Sequence, residues 1–250
     1  MKSNLKDLKI NMYKATMNLQ KSYNSISKEF SSTRHSKWPC VTKYYQDYVK
    51  CNSYLLDAGC GNGKNIVDSY IFEACDITEK FLEIVSYTKK AAGIVQSTVQ
   101  KLPYISNVFD HAISIAVIHH LNTIELRKQA VSELIRCVRP GGTILITNWA
   151  YENNKFETQD CFVPFKSPKG DILTQRYYHL FTENELPDIV NEIDNCYLVE
   201  YYNEHKNWIG VIKNISDFFI FLYYRSCKVF TDHFKLMNLN FKVQKELILN

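Results

Sequence analysis

One stretch limits what this chain can fold into more than any other: Tyr54-Leu55-Leu56-Asp57-Ala58-Gly59-Cys60-Gly61-Asn62-Gly63-Lys64-Asn65. Three apolar residues of strand character lead into a turn with glycine at every second position. Gly59, Gly61 and Gly63 can take positive φ and let a ligand approach the main chain closely. A strand, a glycine turn and a helix start predict a ligand cradle at the carboxyl edge of a parallel sheet, where open α/β folds bind. A dinucleotide fingerprint reads G-x-G-x-x-G. Here the third glycine comes one residue early.

The rest of the chain extends that unit. Leu5, Leu8, Met12, Ala15, Met17 and Leu19 predict helix over 4–30, with a break near Asn18–Ser22. A polar loop then ends at Pro39 in the first turn of a helix reaching about Lys50. Strand one is Tyr54–Asp57, with a helix near Lys64–Ser69, and strand two is Ile71–Cys75 with Asp76 at its end. Thr78 stands as the N-cap of a helix to Lys90. Gly93–Gln96 and Ala112–Val117 are the third and fourth strands. Thr123 caps a helix to about Arg136, whose Leu126, Ala130, Val131, Leu134 and Ile135 share one face. Thr143–Asn148 is the fifth strand, and Tyr197–Tyr202 with Trp208–Lys213 close the sheet after a polar, aromatic insertion at 150–195. The alternation predicts an α/β fold, a mostly parallel seven-stranded sheet with helices on both faces. One domain is expected over 1–213, followed by an aromatic-rich helical extension over 214–250 that packs back on the domain or docks a partner.

At 46% hydrophobic and 22% charged, 250 residues suffice for one domain with a sizeable core. A net charge of +4 permits an anionic partner without requiring one. The Lys-rich start has no apolar core of a secretory signal, and no run reaches the length of a membrane helix. A cytoplasmic protein, with a nuclear share also open and no membrane association, is expected. Eight cysteines without C-x2-4-C spacing argue for reduced thiols and against a zinc site within this chain.

The form D-x-G-x-G-x-G that begins at Asp57 resembles the S-adenosylmethionine loop of class I methyltransferases, whose fold is Rossmann-like. Four further stretches narrow the resemblance. They are Tyr23-Asn24 with Phe30-Ser31-Ser32-Thr33-Arg34 and Lys37-Trp38-Pro39; Ala112 through His120; Asn148-Trp149-Ala150 with Gln159 through Phe165; and Arg176-Tyr177-Tyr178-His179-Leu180-Phe181 with Glu185-Leu186-Pro187. Together they resemble the eukaryotic tRNA wobble-uridine carboxymethyl methyltransferases, a domain also found fused to an AlkB-like dioxygenase. The resemblance covers about residues 20–213. It implies S-adenosyl-L-methionine as cofactor and esterification of 5-carboxymethyluridine at the tRNA wobble position. The implied partners are the tRNA anticodon loop and a small zinc-binding methyltransferase activator subunit, so a heterodimer with its zinc in the partner.

On that resemblance the cofactor is held by Asp57, Gly59, Gly61, Asp76, Thr98 and Ile115, with Asp76 near the ribose hydroxyls. Arg34 and Arg176 orient an anionic substrate, since a guanidinium fork matches a carboxylate. His120 joins them at the reacting groups, with His119 as the alternative. Trp38, Trp149 and Tyr177 offer stacking for a splayed anticodon base, Phe165 lines the pocket, and His179 contacts a phosphate or orders its loop. A carboxylate nucleophile is ionised at neutral pH, so positioning suffices and no general base is required. Thr98 departs from the family, which commonly has Asp there for the adenine amino group; the loss is about 1 kcal/mol. The short loop before Arg176 holds only Lys166 and Lys169, so a weaker grip on tRNA is expected from it. Ala91–Val95 is the expected edge strand for the activator. Two other readings compete, a methyltransferase for a small carboxylate and a non-catalytic scaffold. Thr98 favours the scaffold, and intact Asp57, Gly59, Gly61 and Asp76 oppose it.

Overall fold

The computed structural model describes residues 18–215 except 35, 90 and 153. The helix expected before residue 18 and the extension beyond 215 lie outside the described residues. The first element, α1, runs unbroken over residues 18–32, so the expected break at Asn18–Ser22 is absent. Leu19, Tyr23, Ile26 and Phe30 recur at spacings of four, three and four, which gives α1 one apolar stripe. Pro39 opens α2 (Pro39–Tyr48), its missing N–H falling where no helical partner exists.

Five strands then run parallel: β1 (Tyr54–Ala58), β2 (Ile71–Asp76), β3 (Gly93–Gln96), β4 (Phe109–Ile115) and β5 (Val138–Trp149). Between them lie α3 (Glu79–Thr88), a 3-10 turn at Ile118–His120 and α4 (Ile124–Cys137). A separate antiparallel hairpin, β6 (Asp160–Lys166) and β7 (Ile172–His179), is followed by α5 (Glu185–Asn191), β8 (Cys196–Glu204) and β9 (Asn207–Asn214). The seven-stranded sheet has the order β3-β2-β1-β4-β5-β9-β8, with β9 antiparallel to both neighbours.

The two faces of the sheet follow the period of two. Leu56, Ala112, Ile144 and Ile146 face α4 and α5, while Leu55, Ile113 and Leu145 face α2 and α3. A third cluster, Tyr23, Ile26, Phe81 and Phe165, ties α1 to α3 and the hairpin.

Three local expectations are corrected. No helix follows the glycine loop at Lys64–Ser69; the segment is a series of turns, with Ile66 N donating to Gly63 O and Tyr70 N to Val67 O. Six residues before β2 are too few to offset helix nucleation, and Ile66 and Val67 are β-branched. Thr78 occupies the cap of α3 without a capping bond, whereas Thr123 Oγ1 does accept from Leu126 N. β5 begins at Val138, five residues before Thr143, because Gly142 lets the chain pass the main chain of β4; a Cβ there would lie 2.2 Å from Asp110 O.

Candidate active site

Strand order reverses between β1 and β4, and a crevice opens above the carboxyl ends of those strands. Its floor is the glycine loop. Gly59, Gly61 and Gly63 have φ of +85°, +52° and +71°. A Cβ on Gly59 would meet Val117 Cγ2 at 2.3 Å, so close packing against the β4 segment requires glycine. Gly61 has nothing within 4 Å of its Cβ position, so its main chain is open to the cleft. Parallel pairing with β2 brings Asp76 beside the loop, where Oδ2 accepts from Gly61 N at 2.9 Å and Oδ1 from Thr78 N at 2.8 Å. Asp57 is fully buried and neither carboxylate oxygen has a partner. Burial first, then the nearby Asp76, push its pKa up to about 7. Asn65 Oδ1 and Thr78 Oγ1, on residues that line the cleft, also lack partners.

The opposite wall comes from α1 and β7. Arg34, just past α1, lies 4.2 Å from the Phe30 ring centroid and 5.6 Å from that of Phe165. Arg176 of β7 lies 5.4 Å from the same Phe165 ring, 5.6 Å from Tyr23 and 5.3 Å from Tyr178. The two guanidiniums converge on one phenyl ring. Burial, then Arg176, lower the Arg34 pKa. Among the described residues no carboxylate pairs with either, and Arg176 Nε has no partner.

His120 lines the cleft, but both its nitrogens are taken: Nδ1 lies 2.8 Å from Tyr177 O and Nε2 2.9 Å from Tyr23 Oη. A carbonyl only accepts, so Nδ1–H donates and Nε2 accepts from the Tyr23 hydroxyl. That hydroxyl in turn accepts from Arg176 Nη1 at 3.4 Å. Burial lowers the His120 pKa to about 4, so the ring is neutral. His119 is fully buried, stacks on Tyr178 at 4.7 Å and accepts from Trp149 N. Of the two histidines, His120 lines the cleft and His119 does not.

The expected residues divide clearly. Arg34, Trp38, Gly59, Gly61, Asp76, Ile115, His120, Trp149 and Arg176 line one cleft. Phe165 and Asp57, expected at the site, fall outside its lining: Phe165 lies behind the two arginines as their shared platform, and Asp57 is fully buried at the end of β1. Two further expectations are corrected, those for Thr98 and Tyr177. Thr98 does not line the cleft; its neighbours Ser97, Val99 and Gln100 do, because the turn bridging Thr98 to Lys101 directs them inward. Tyr177 and His179 fall outside the lining. Strand alternation sends the Tyr177 side chain away from Arg176 and Tyr178, to Asp160. His179 bridges Asp160 Oδ1 at 2.8 Å and Glu185 Oε2 at 2.9 Å. Tyr23, Phe30, Tyr178, Lys64 and Asn122 line the cleft without having been selected as site residues. The signal for Tyr23 and Phe30 was the helical spacing of α1.

The donor set fits S-adenosylmethionine. Asp76 with Thr78 suits a ribose, the open main chain at Gly61 suits close approach, and an unpartnered buried carboxylate beneath the loop suits a cationic ligand.

The comparisons with known proteins agree. A family model described as a methyltransferase domain matches residues 56–146. The tRNA (carboxymethyluridine(34)-5-O)-methyltransferase of Schizosaccharomyces pombe is 31% identical over 218 residues, 77% of this chain and 94% of that protein. The chain belongs to the tRNA carboxymethyluridine methyltransferase family. The Arabidopsis thaliana member is 45% identical over 132 residues, 52% of this chain, and the match spans 32% of that longer protein. At the level of fold, a methyltransferase from Haloferax volcanii solved with the Trm112 methyltransferase activator superposes with a TM-score of 0.60 at 11% identity, covering 79% of this chain and 98% of that one. Within the family's fold, the cleft built by the glycine loop, α1 and β7 is the candidate active site.

Proposed function

We propose that the chain moves the methyl group of S-adenosylmethionine onto the carboxylate of 5-carboxymethyluridine at the tRNA wobble position, giving the methyl ester. The observation that carries this reading is the pair Arg34 and Arg176, two uncompensated guanidiniums converging on Phe165 beside the glycine loop. Two like charges, Arg34 half-buried and Arg176 buried, are unfavourable together unless an anion joins them. The substrate supplies that anion. A carboxylate oxygen attacks the methyl carbon, the carbon–sulfur bond breaks, and its electron pair returns to sulfur. No proton moves. A neutral His120 with both nitrogens engaged accords with a reaction that uses no general base.

Arg34 and Arg176 thus align the nucleophile, and Tyr23 fixes Arg176 through its hydroxyl. Trp149, packed on Tyr178 at 4.7 Å, offers a face for the base, and Trp38 a second. No metal enters this reading. The family resemblance and the Haloferax complex support an activator subunit; its place in this reading is β3, the edge strand whose free side no described strand covers.

The test is methyl transfer from radiolabelled cofactor by the chain co-expressed with its activator, using tRNA from cells lacking the enzyme, digested to nucleosides. Label in an alkali-labile ester of carboxymethyluridine is expected. Arg176→Ala should lower kcat/KM at least about a hundredfold, as for a desolvated charge partner. Label on a free carboxylic acid in place of tRNA would move the reading to a small-molecule methyltransferase. No label together with intact cofactor binding would sink the tRNA reaction.

A further inference from the structure

Lys64 has no part in the reading above, yet it lines the same cleft directly after Gly63. It is half-buried, and its ammonium lies 5.0 Å from the centroid of the Trp38 ring. Among the described residues no carboxylate pairs with it. Burial and then the charge of Arg34 lower its pKa, while Asp57 acts in the other direction without forming a pair. A partly dehydrated ammonium with no anion is costly to keep, so the site is shaped for an anion that arrives with a ligand.

Two anions have to enter this cleft, the substrate carboxylate and the α-carboxylate of the cofactor's methionyl end. Arg34 and Arg176 stand together on Phe165. Lys64 stands on a different ring, Trp38, near enough to Arg34 to feel its charge, and is covalently part of the glycine loop. That loop also covers Asp57, whose two oxygens lack donors. An unpaired cation on the loop is complementary to the carboxylate of the methionyl end, while Asp57, fully buried and outside the cleft lining, acts on the ammonium through its charge alone. A cation reserved for the cofactor would also keep its carboxylate from competing for Arg34 and Arg176.

We propose that Lys64 binds the α-carboxylate of the cofactor, so that the cleft holds two separate carboxylate sites, one on the glycine loop and one between α1 and β7. This rests on the cofactor part of the proposed function and not on its tRNA part.

The test is calorimetric titration of the full chain, co-purified with its activator subunit, with two neutral-sulfur probes. One is S-adenosylhomocysteine. The other is 5′-(3-aminopropylthio)-5′-deoxyadenosine, which keeps the ammonium and lacks the carboxylate. The wild type should prefer the first by about tenfold to a hundredfold, the scale of one hydrogen bond to a charged group. Lys64→Met should bring the ratio of the two affinities close to one by weakening only S-adenosylhomocysteine, and Lys64→Arg should restore part of the preference. An unchanged ratio in Lys64→Met would overturn the inference. So would equal loss of both probes, which would mean that Lys64 only shapes the loop. Methyl transfer to tRNA that fails while the ratio behaves as expected would remove the tRNA reading and leave Lys64 in place. A wild type that binds neither probe would remove this inference and the cofactor reading together.

Discussion

The hydroxyl of Tyr23 joins parts of the chain that the sequence keeps far apart. It donates to His120 Nε2 and accepts from Arg176, partners 97 and 153 residues away. Tyr23→Phe removes one group and leaves two others short of a partner. The expected result is a five- to thirtyfold lower kcat, about 1–2 kcal/mol, with S-adenosylhomocysteine affinity unchanged. A kcat equal to wild type would mean that Tyr23 only packs against Phe30 and Phe81. Asp57 governs a second prediction. An unfolded aspartate ionises near pH 4, about 3.9, whereas burial holds the folded one to about 7. Between those values the folded chain keeps a proton that the unfolded chain has released, so this residue's contribution to stability falls as pH rises through that window. Cofactor binding responds with the opposite sign. A ligand bearing sulfonium and ammonium charge favours ionised Asp57, so affinity should rise from pH 6 to pH 8 with proton release on binding. Titration in buffers of different ionisation enthalpy reads that proton, and a binding heat independent of buffer would show Asp57 already ionised in the free protein.

At the scale of elements, β7 does two things at once because its side chains alternate. Arg176 and Tyr178 face the cleft, while Tyr177 reaches Asp160. His179, at the strand's end, is clamped between Asp160 and Glu185, and Glu185 Oε1 lies 2.8 Å from Arg127 Nε. That last pair is buried, with side-chain exposures of 7% and 12%. Its contact is close but not aligned as a hydrogen bond, since neither atom has a hydrogen-bond partner. Together with the His179–Glu185 contact it locks β7 to α4 and α5. Glu185→Ala strands a buried guanidinium and should cost about 3–5 kcal/mol in urea unfolding. A loss under 1 kcal/mol would mean that the hairpin is held by its aromatic packing alone. Of the two roles read for His179, phosphate contact or ordering of its loop, this clamp accords with the ordering. The alternation in β1, β4 and β5 was legible because it is a period in the sequence itself. The missing helix after the glycine loop was not, since glycine turns precede helices and plain turns alike.

Across the whole molecule, the sheet ends at β3 on one side and β8 on the other. β3 is short, four residues, and presents half-buried Ile94 and Val95. If the activator adds a strand there, Val95→Lys should abolish co-purification of the activator while shifting the melting temperature of the isolated chain by less than about 4 °C. Retained co-purification would move the interface elsewhere. Among the described residues no helix is long and apolar enough to cross a membrane.

What the sequence determined by itself was local. Glycines that need positive φ, the period of two in the strands, the Pro39 helix start and the Thr123 cap are each set within a few residues, where sterics and hydrogen bonding act directly. The glycine loop and its Asp76 partner were legible for the same reason. Only the tertiary structure decided which side chains share the cleft. The crossover that reverses strand order, the insertion of β9 between β5 and β8, and the folding of α1 onto the hairpin are contacts between residues far apart in the chain. They occupied His120 within the protein, turned Tyr177 outward, replaced Thr98 by its neighbours and left Lys64 facing the cleft with no counter-ion among the described residues. Such outcomes depend on which surfaces can be buried together, and no single stretch of sequence carries that information.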